Sequence, residues 1–264
     1  MRPATIRAMA LMTFATVSAT MSANAQGLAQ RVRATGNGIV QVRYASRPGT
    51  CGDGRRYFSL GRRTFFGEWN GDGGRASCVP GPARVRMRVE RGTVMDVRAT
   101  VGPEVSYGER ATDLGEVASA DAASFFLSLA DTASSRVTHG AITAAVLADS
   151  VSVWQRLLGI ASDTARVSRS TQRDAMFWVG RFAAAKVTGH GEDIAEIGES
   201  DDRDDSRDAA VFALSQLRGK QGVEPLLRIA RTHKDPELRQ KAIFWLGQSG
   251  DPRAVALFRE ILKG

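Results

Sequence analysis

One phrase recurs through the second half of the chain: Arg173-Asp-Ala-Met-Phe-Trp-Val-Gly180, Arg207-Asp-Ala-Ala-Val-Phe-Ala-Leu214 and Arg239-Gln-Lys-Ala-Ile-Phe-Trp-Leu-Gly247. Anchored on Ala175, Ala210 and Ala242, the copies stand 35 and 32 residues apart, and a weaker copy from Ala141 to Leu147 lies 34 residues before the first. Self-similarity at a period in the low thirties, from Ser134 to Lys263, predicts stacked supersecondary units, each too small to bury its apolar face alone. The last unit is the most legible. Asp235-Pro236 and Asp251-Pro252 each place a capping side chain before a proline that needs no N–H, so two helices start there. Leu238, Ala242, Ile243, Trp245 and Leu246 then form one apolar face, and Val255, Leu257, Phe258, Ile261 and Leu262 another. The break from Gly247 to Gly250 is long enough only for a hairpin of helices.

These phrases resemble the HEAT repeats, in particular the short variety named after phycobilisome lyases. The resemblance covers about half the chain and implies a mainly α fold, an α-solenoid of helical hairpins that binds proteins. Similar repeats occur in phycobilin lyases and in deoxyhypusine hydroxylase. The hydroxylases carry His-Glu dipeptides that hold two irons, whereas His139, His190 and His233 are followed here by Gly, Gly and Lys. A bilin lyase acts on a cytoplasmic substrate that an exported chain would not meet.

Export is read from the N-terminus. Arg2 and Arg7 precede an apolar run from Ala8 to Val17, and Ala23-Asn24-Ala25 offers a small-x-small cleavage site, so residues 1–25 are expected to be a signal peptide and the mature chain periplasmic or extracellular. The run is too short to span a bilayer. Removing Arg2 and Arg7 leaves 34 basic against 28 acidic residues. Residues 26–110 hold 15 Arg and 7 acidic residues, a balance of +8, and residues 111–264 hold 19 basic and 21 acidic, a balance of −2. That shift predicts a boundary near residue 110, with a small basic domain at 26–110 and the repeats at 111–264.

The basic part alternates with period two: Ile39, Val40, Val42 and Tyr44, then Val85, Met87 and Val89 with Arg84, Arg86 and Arg88 between them. Half-buried strands follow from such a pattern, with Arg91-Gly92-Thr93 turning into a return strand from Val94 to Val101. Nine glycines between Gly49 and Gly81 keep this core small. Cys51 and Cys78 both fall in it, and a disulfide is the natural pairing in an exported chain; free thiols and a metal pair are the alternatives. Arg84, Arg86 and Arg88 share one side of a strand, so they form either a solvated face or one that binds an anionic lipid, polysaccharide or acidic protein. Nucleic acid is not expected outside the cytoplasm.

Pro103 to Gly115 reads as a linker, and Ser119 as the cap of a helix that closes the repeats. Glu68-Trp-Asn-Gly-Asp-Gly73 imitates an EF-hand start but has Val79 where the bidentate Glu belongs, which favours a plain turn. The stretch from Val187 to Ser206 packs eight carboxylates around Arg203 and reads as a solvated loop or eroded helix, with calcium binding or docking onto the basic domain as the other options. Phe177, Trp178, Phe212, Phe244 and Trp245 recur in phase with the apolar face and are expected in the core rather than in a binding groove. No nucleophile, base or ligand spacing surrounds any histidine, so no catalytic residue, metal or cofactor is expected. The leading expectation is a non-enzymatic scaffold whose protein partner meets Arg156, Arg228, Arg231, Arg259 and Lys263 on the second helices. An enzyme of the lyase or hydroxylase type is the competing class.

Overall fold

A computed structural model describes residues 23–55, 57–60, 64–67, 78–108, 110–132, 135–189, 194 and 211–264. The apolar run of the expected signal peptide, the Glu68–Gly73 turn and most of the acidic stretch lie outside the described residues.

Among these residues the chain opens with helix α1 (Ala23–Ala34), whose Leu28 and Val32 are buried beyond the expected cleavage point. Strands β1 (Gly38–Tyr44), β2 (Thr50–Gly52), β3 (Tyr57–Leu60), β4 (Thr64–Gly67), β5 (Val79–Pro80), β6 (Ala83–Glu90), β7 (Thr93–Val101) and β8 (Ala111–Glu116) follow. They form two four-stranded sheets, ordered β7-β6-β1-β8 and β4-β3-β2-β5. The alternation along β6 does what period two requires: Val85, Met87 and Val89 are buried while the arginines between them face away. Arg91 and Gly92 both have positive φ, 49° and 74°, the conformation that lets a two-residue turn follow the twist of the hairpin. The second sheet is stapled by the Cys51–Cys78 disulfide, with 5.0 Å between the Cα atoms. Closing a loop of this length contributes about 3 to 4 kcal/mol on the chain-entropy view, which suits a sheet with few long strands.

The expected linker is partly strand. Residues 111–116 form β8, which pairs in parallel with β1 at the edge of the first sheet, and Arg31 of α1 donates to the Leu114 carbonyl. The main chain there satisfies its polar groups against β1, so the strand-rich part continues past residue 110. Helix α2 (Ser119–Thr132) buries Ala122, Phe125 and Phe126. Ser119 is not its cap: the hydroxyl donates to the Ala45 carbonyl at 3.2 Å, tying the helix start to the end of β1.

Helices α3 (Ser135–Val146), α4 (Trp154–Ser162), α5 (Arg169–Val187), α6 (Val223–Thr232), α7 (Pro236–Gln248) and α8 (Pro252–Lys263) complete the described elements, with residues 211–215 also helical and a single 3-10 turn at Arg218–Lys220. Asp235 and Asp251 cap α7 and α8 as expected, each accepting from the N–H two residues on. Ser168 caps α5 by accepting from the Thr171 N–H at 3.2 Å. The most extensive helix contact joins α5 to α7, and α5 also meets α8. Gly180 and Gly247 allow this approach, since a Cβ on Gly180 would stand 3.3 Å from the Gly247 Cα and from the Phe258 ring. Direct packing of α5 on both C-terminal helices departs from a stack in which each repeat touches only its neighbours in sequence.

Strands and helices share one core. Tyr44 donates from its buried hydroxyl to the Ala144 carbonyl at 2.5 Å, and Arg47, only 7 % exposed, donates to the carbonyls of Val146 (3.1 Å) and Val151 (2.9 Å). The recurrent aromatics are not uniformly core. Trp178 is 3 % exposed, Phe177, Phe244 and Trp245 are half-buried, and Phe212 is 49 % exposed with its ring 5.3 Å from that of Trp245. Adjacent residues on a helix point about 100° apart, so a Phe-Trp pair cannot place both rings in one contact. Trp178→Ala is therefore expected to destabilise the protein by about 3 to 5 kcal/mol, and Trp245→Ala clearly less. Denaturant melts of the two variants check this, and equal losses would restore Trp245 to the core.

Candidate functional site

Three regions gather the side chains that are candidates for a functional role. The first is the outward face of the first sheet, where β6 holds Arg84, Arg86 and Arg88 on one side as expected. The sheet register sets Arg43 opposite Arg84, Arg98 opposite Arg86 and Asp96 opposite Arg88. These side chains are engaged within the protein. Arg84 donates to the Gly102 carbonyl, Arg88 pairs with Glu90, and the Arg86 guanidinium stands 4.3 Å over the Tyr107 ring. Arg43 pairs with Asp113 at 2.9 Å. Like charges opposite one another repel across a strand pair, and these local partners offset that repulsion.

The second region is a band on α4, α6 and α8. Arg156 pairs with Asp131 of α2, the Arg231 Nε lies 3.5 Å from a Glu260 carboxylate oxygen, and Arg259 donates to the Ser162 hydroxyl at 3.0 Å. Those contacts join α6 to α8 and α8 to α4. Arg228 and Lys263 are exposed on the same helices, without a side-chain partner among the described residues.

The third region was not anticipated. A cleft of about 590 Å³ opens between β7, α3, α5 and the end of α7. Its base depends on Gly140: a Cβ there would stand 2.0 Å from the Val97 carbonyl oxygen, so only glycine lets α3 lie this close to the edge strand. On one side the half-buried Phe177 of α5 lines the cleft, its ring 5.1 Å from that of the buried Trp178 and edge to face. Arg98, His139, Arg173 and Asp174 supply the charge. His139 Nδ1 lies 3.3 Å from an Asp174 carboxylate oxygen, and neither arginine has an ion-pair partner among the described residues. That hydrogen bond to Asp174 holds the His139 pKa above its usual 6.5, burial opposing and the carboxylate's charge assisting.

A signal for part of this cleft existed in the repeat. With Ala141 and Ala175 equivalent, His139 and Arg173 occupy matching positions of successive units, and Thr138 meets Thr171 hydroxyl to hydroxyl at 2.9 Å. Arg98 comes from the strand-rich part, and nothing in the sequence joins it to α3 or α5. None of Arg84, Arg86, Arg88, Arg156, Arg228, Arg231, Arg259 or Lys263 lines the cleft.

A family model described as HEAT repeats matches residues 192–264. The match supports a HEAT-repeat protein, and its residues include α6, α7 and α8. No curated protein and no solved structure matches the chain. Among the described residues no helix is long and apolar enough to cross a membrane.

The His139–Asp174 pair gives a pH prediction. Because the folded pKa lies above the unfolded one, the pair stabilises most below the unfolded value, and the contribution is lost as pH rises through the folded value. With the His139 side chain 71 % exposed, solvent screens most of that effect. Titration is the better readout: His139 followed by NMR is expected above 6.5, and Asp174→Asn is expected to lower it. An unchanged pKa in the variant would contradict the pairing.

Proposed function

We propose that the chain is a non-enzymatic interaction module of the cell envelope, exported by its leader. In this reading its short HEAT-type repeats, with α5 packed back onto the C-terminal pair, present the α4–α8–α6 band to a protein partner. HEAT repeats commonly serve as interaction scaffolds, and repeat architectures build extended surfaces from successive helices. The observation that carries the reading is the band itself: within the HEAT match Arg231 meets Glu260, and from it Arg259 reaches Ser162 of α4, so that three helices contribute to one basic surface. The anionic-surface alternative is favoured less because Arg84, Arg86 and Arg88 of β6 are all held by internal contacts, whereas the band keeps Arg228 and Lys263 exposed without a side-chain partner among the described residues.

Affinity capture from an envelope extract, with the mature chain as bait, tests the proposal. One stoichiometric protein is expected with the wild type, and its recovery is expected to collapse when Arg228, Arg231 and Lys263 are changed together to Glu. Capture unaffected by the triple change would remove the band from the account, and turnover of a small molecule by the purified chain would favour the enzyme class.

A further inference from the structure

We propose that the cleft between β7, α3 and α5 is a binding site for a monocarboxylate with an apolar body, either the free end of a partner chain or a small organic acid. It is built by the first helices and the edge strand, separate from the band on α4, α6 and α8, so the two readings stand or fall independently.

Charge decides the ligand's head group. Arg98 and Arg173 contribute two permanent positive charges and Asp174 one negative, which leaves the cleft at +1 with His139 neutral. A monoanion balances that. Guanidinium groups without an internal carboxylate partner keep their planar donors available, and carboxylate is the geometry that such a fork accepts. A metal cation is disfavoured: the one carboxylate in the cleft is already turned to His139, and the surrounding charge is positive. Acyl-transfer chemistry is disfavoured too, because the hydroxyl lining the cleft, that of Thr143, donates back to the His139 carbonyl at 3.0 Å.

The ligand's body follows from the walls. Phe177 presents apolar surface beside the charges, backed by the buried Phe58, Val97 and Trp178, and a cleft of about 590 Å³ has the size of sites for small molecules or chain ends rather than whole domains. Apolar walls with a few convergent polar groups are the usual composition of such a site.

The test is isothermal titration of the full mature chain with N-acetyl-phenylalanine, its amide, an acetylated hexapeptide ending in phenylalanine carboxylate, and inorganic phosphate. The two carboxylates are expected to bind saturably and the amide at least about tenfold more weakly, the scale of one charge-assisted hydrogen bond. Arg98→Gln and Arg173→Gln are each expected to weaken carboxylate binding about tenfold, with melting temperature measured to show that the fold is intact. Tighter binding of the hexapeptide than of the amino acid assigns the site to a chain end, and equal affinity assigns it to a free acid. The proposal is overturned if neither carboxylate saturates at millimolar concentration, if the amide binds as well as the acid, or if phosphate binds more tightly than either. Because wild-type protein alone distinguishes acid from amide, the result does not hang on the variants folding. Failure here with capture by the band intact would leave the scaffold reading standing.

Discussion

The Arg47 guanidinium is the contact on which the arrangement of the whole chain turns. A buried guanidinium stays charged, so burying it is costly unless carbonyl oxygens surround it. The end of α3 has such carbonyls to spare, because the last turn of a helix leaves its C=O groups without intrahelical donors and carries partial negative charge. Arg47 answers both needs at once: its side chain reaches Val146 and Val151, its own N–H donates to Leu147, and its guanidinium lies 5.5 Å over the Phe182 ring of α5. Asp149 donates from its N–H to Ala45, and Ser46 bridges Ala148, so the segment after β1 runs along the segment after α3. Strands and helices are therefore one packed body, and the cleft beside β7 exists because that body fixes the edge strand against α3.

Much of the secondary structure was legible because it follows from local chemistry. The Asp-Pro starts of α7 and α8, the alternation in β6 and the Arg91-Gly92 turn each rest on residues within a few positions of one another. The disulfide was legible as a natural pairing, from compartment and position rather than geometry. Long-range matters were not. β8 comes from a polar stretch with no strand periodicity, and it is a strand because β1 offers an unpaired edge to its backbone. Ser119 had the right type and place for a cap, yet its hydroxyl found the Ala45 carbonyl instead. The aromatics were in phase with the apolar face, but phase alone does not say which of two adjacent rings meets α7.

The candidate site divides in the same way. Arg156, Arg228, Arg231, Arg259 and Lys263 were placed on second helices by periodicity, and α4, α6 and α8 carry them there. What pairs with each, and that Arg259 reaches across to Ser162, depends on packing between helices far apart in the sequence. The cleft gathers Arg98 from a strand with His139 and Arg173 from helices 41 and 75 residues later, an assembly that only the tertiary fold makes. A repeat array alone would offer a surface. Joined to a sheet at Tyr44 and Arg47, it also offers an open cleft with charge.

Native-state hydrogen exchange of the mature, oxidised protein at increasing denaturant tests the shared core most directly. Amides of β6 and β7 and those of α3 and α5 are expected to merge into a single unfolding free energy before the global transition. Two separate isotherms, with the sheet retaining protection after α3 and α5 have exchanged or the reverse, would contradict the account.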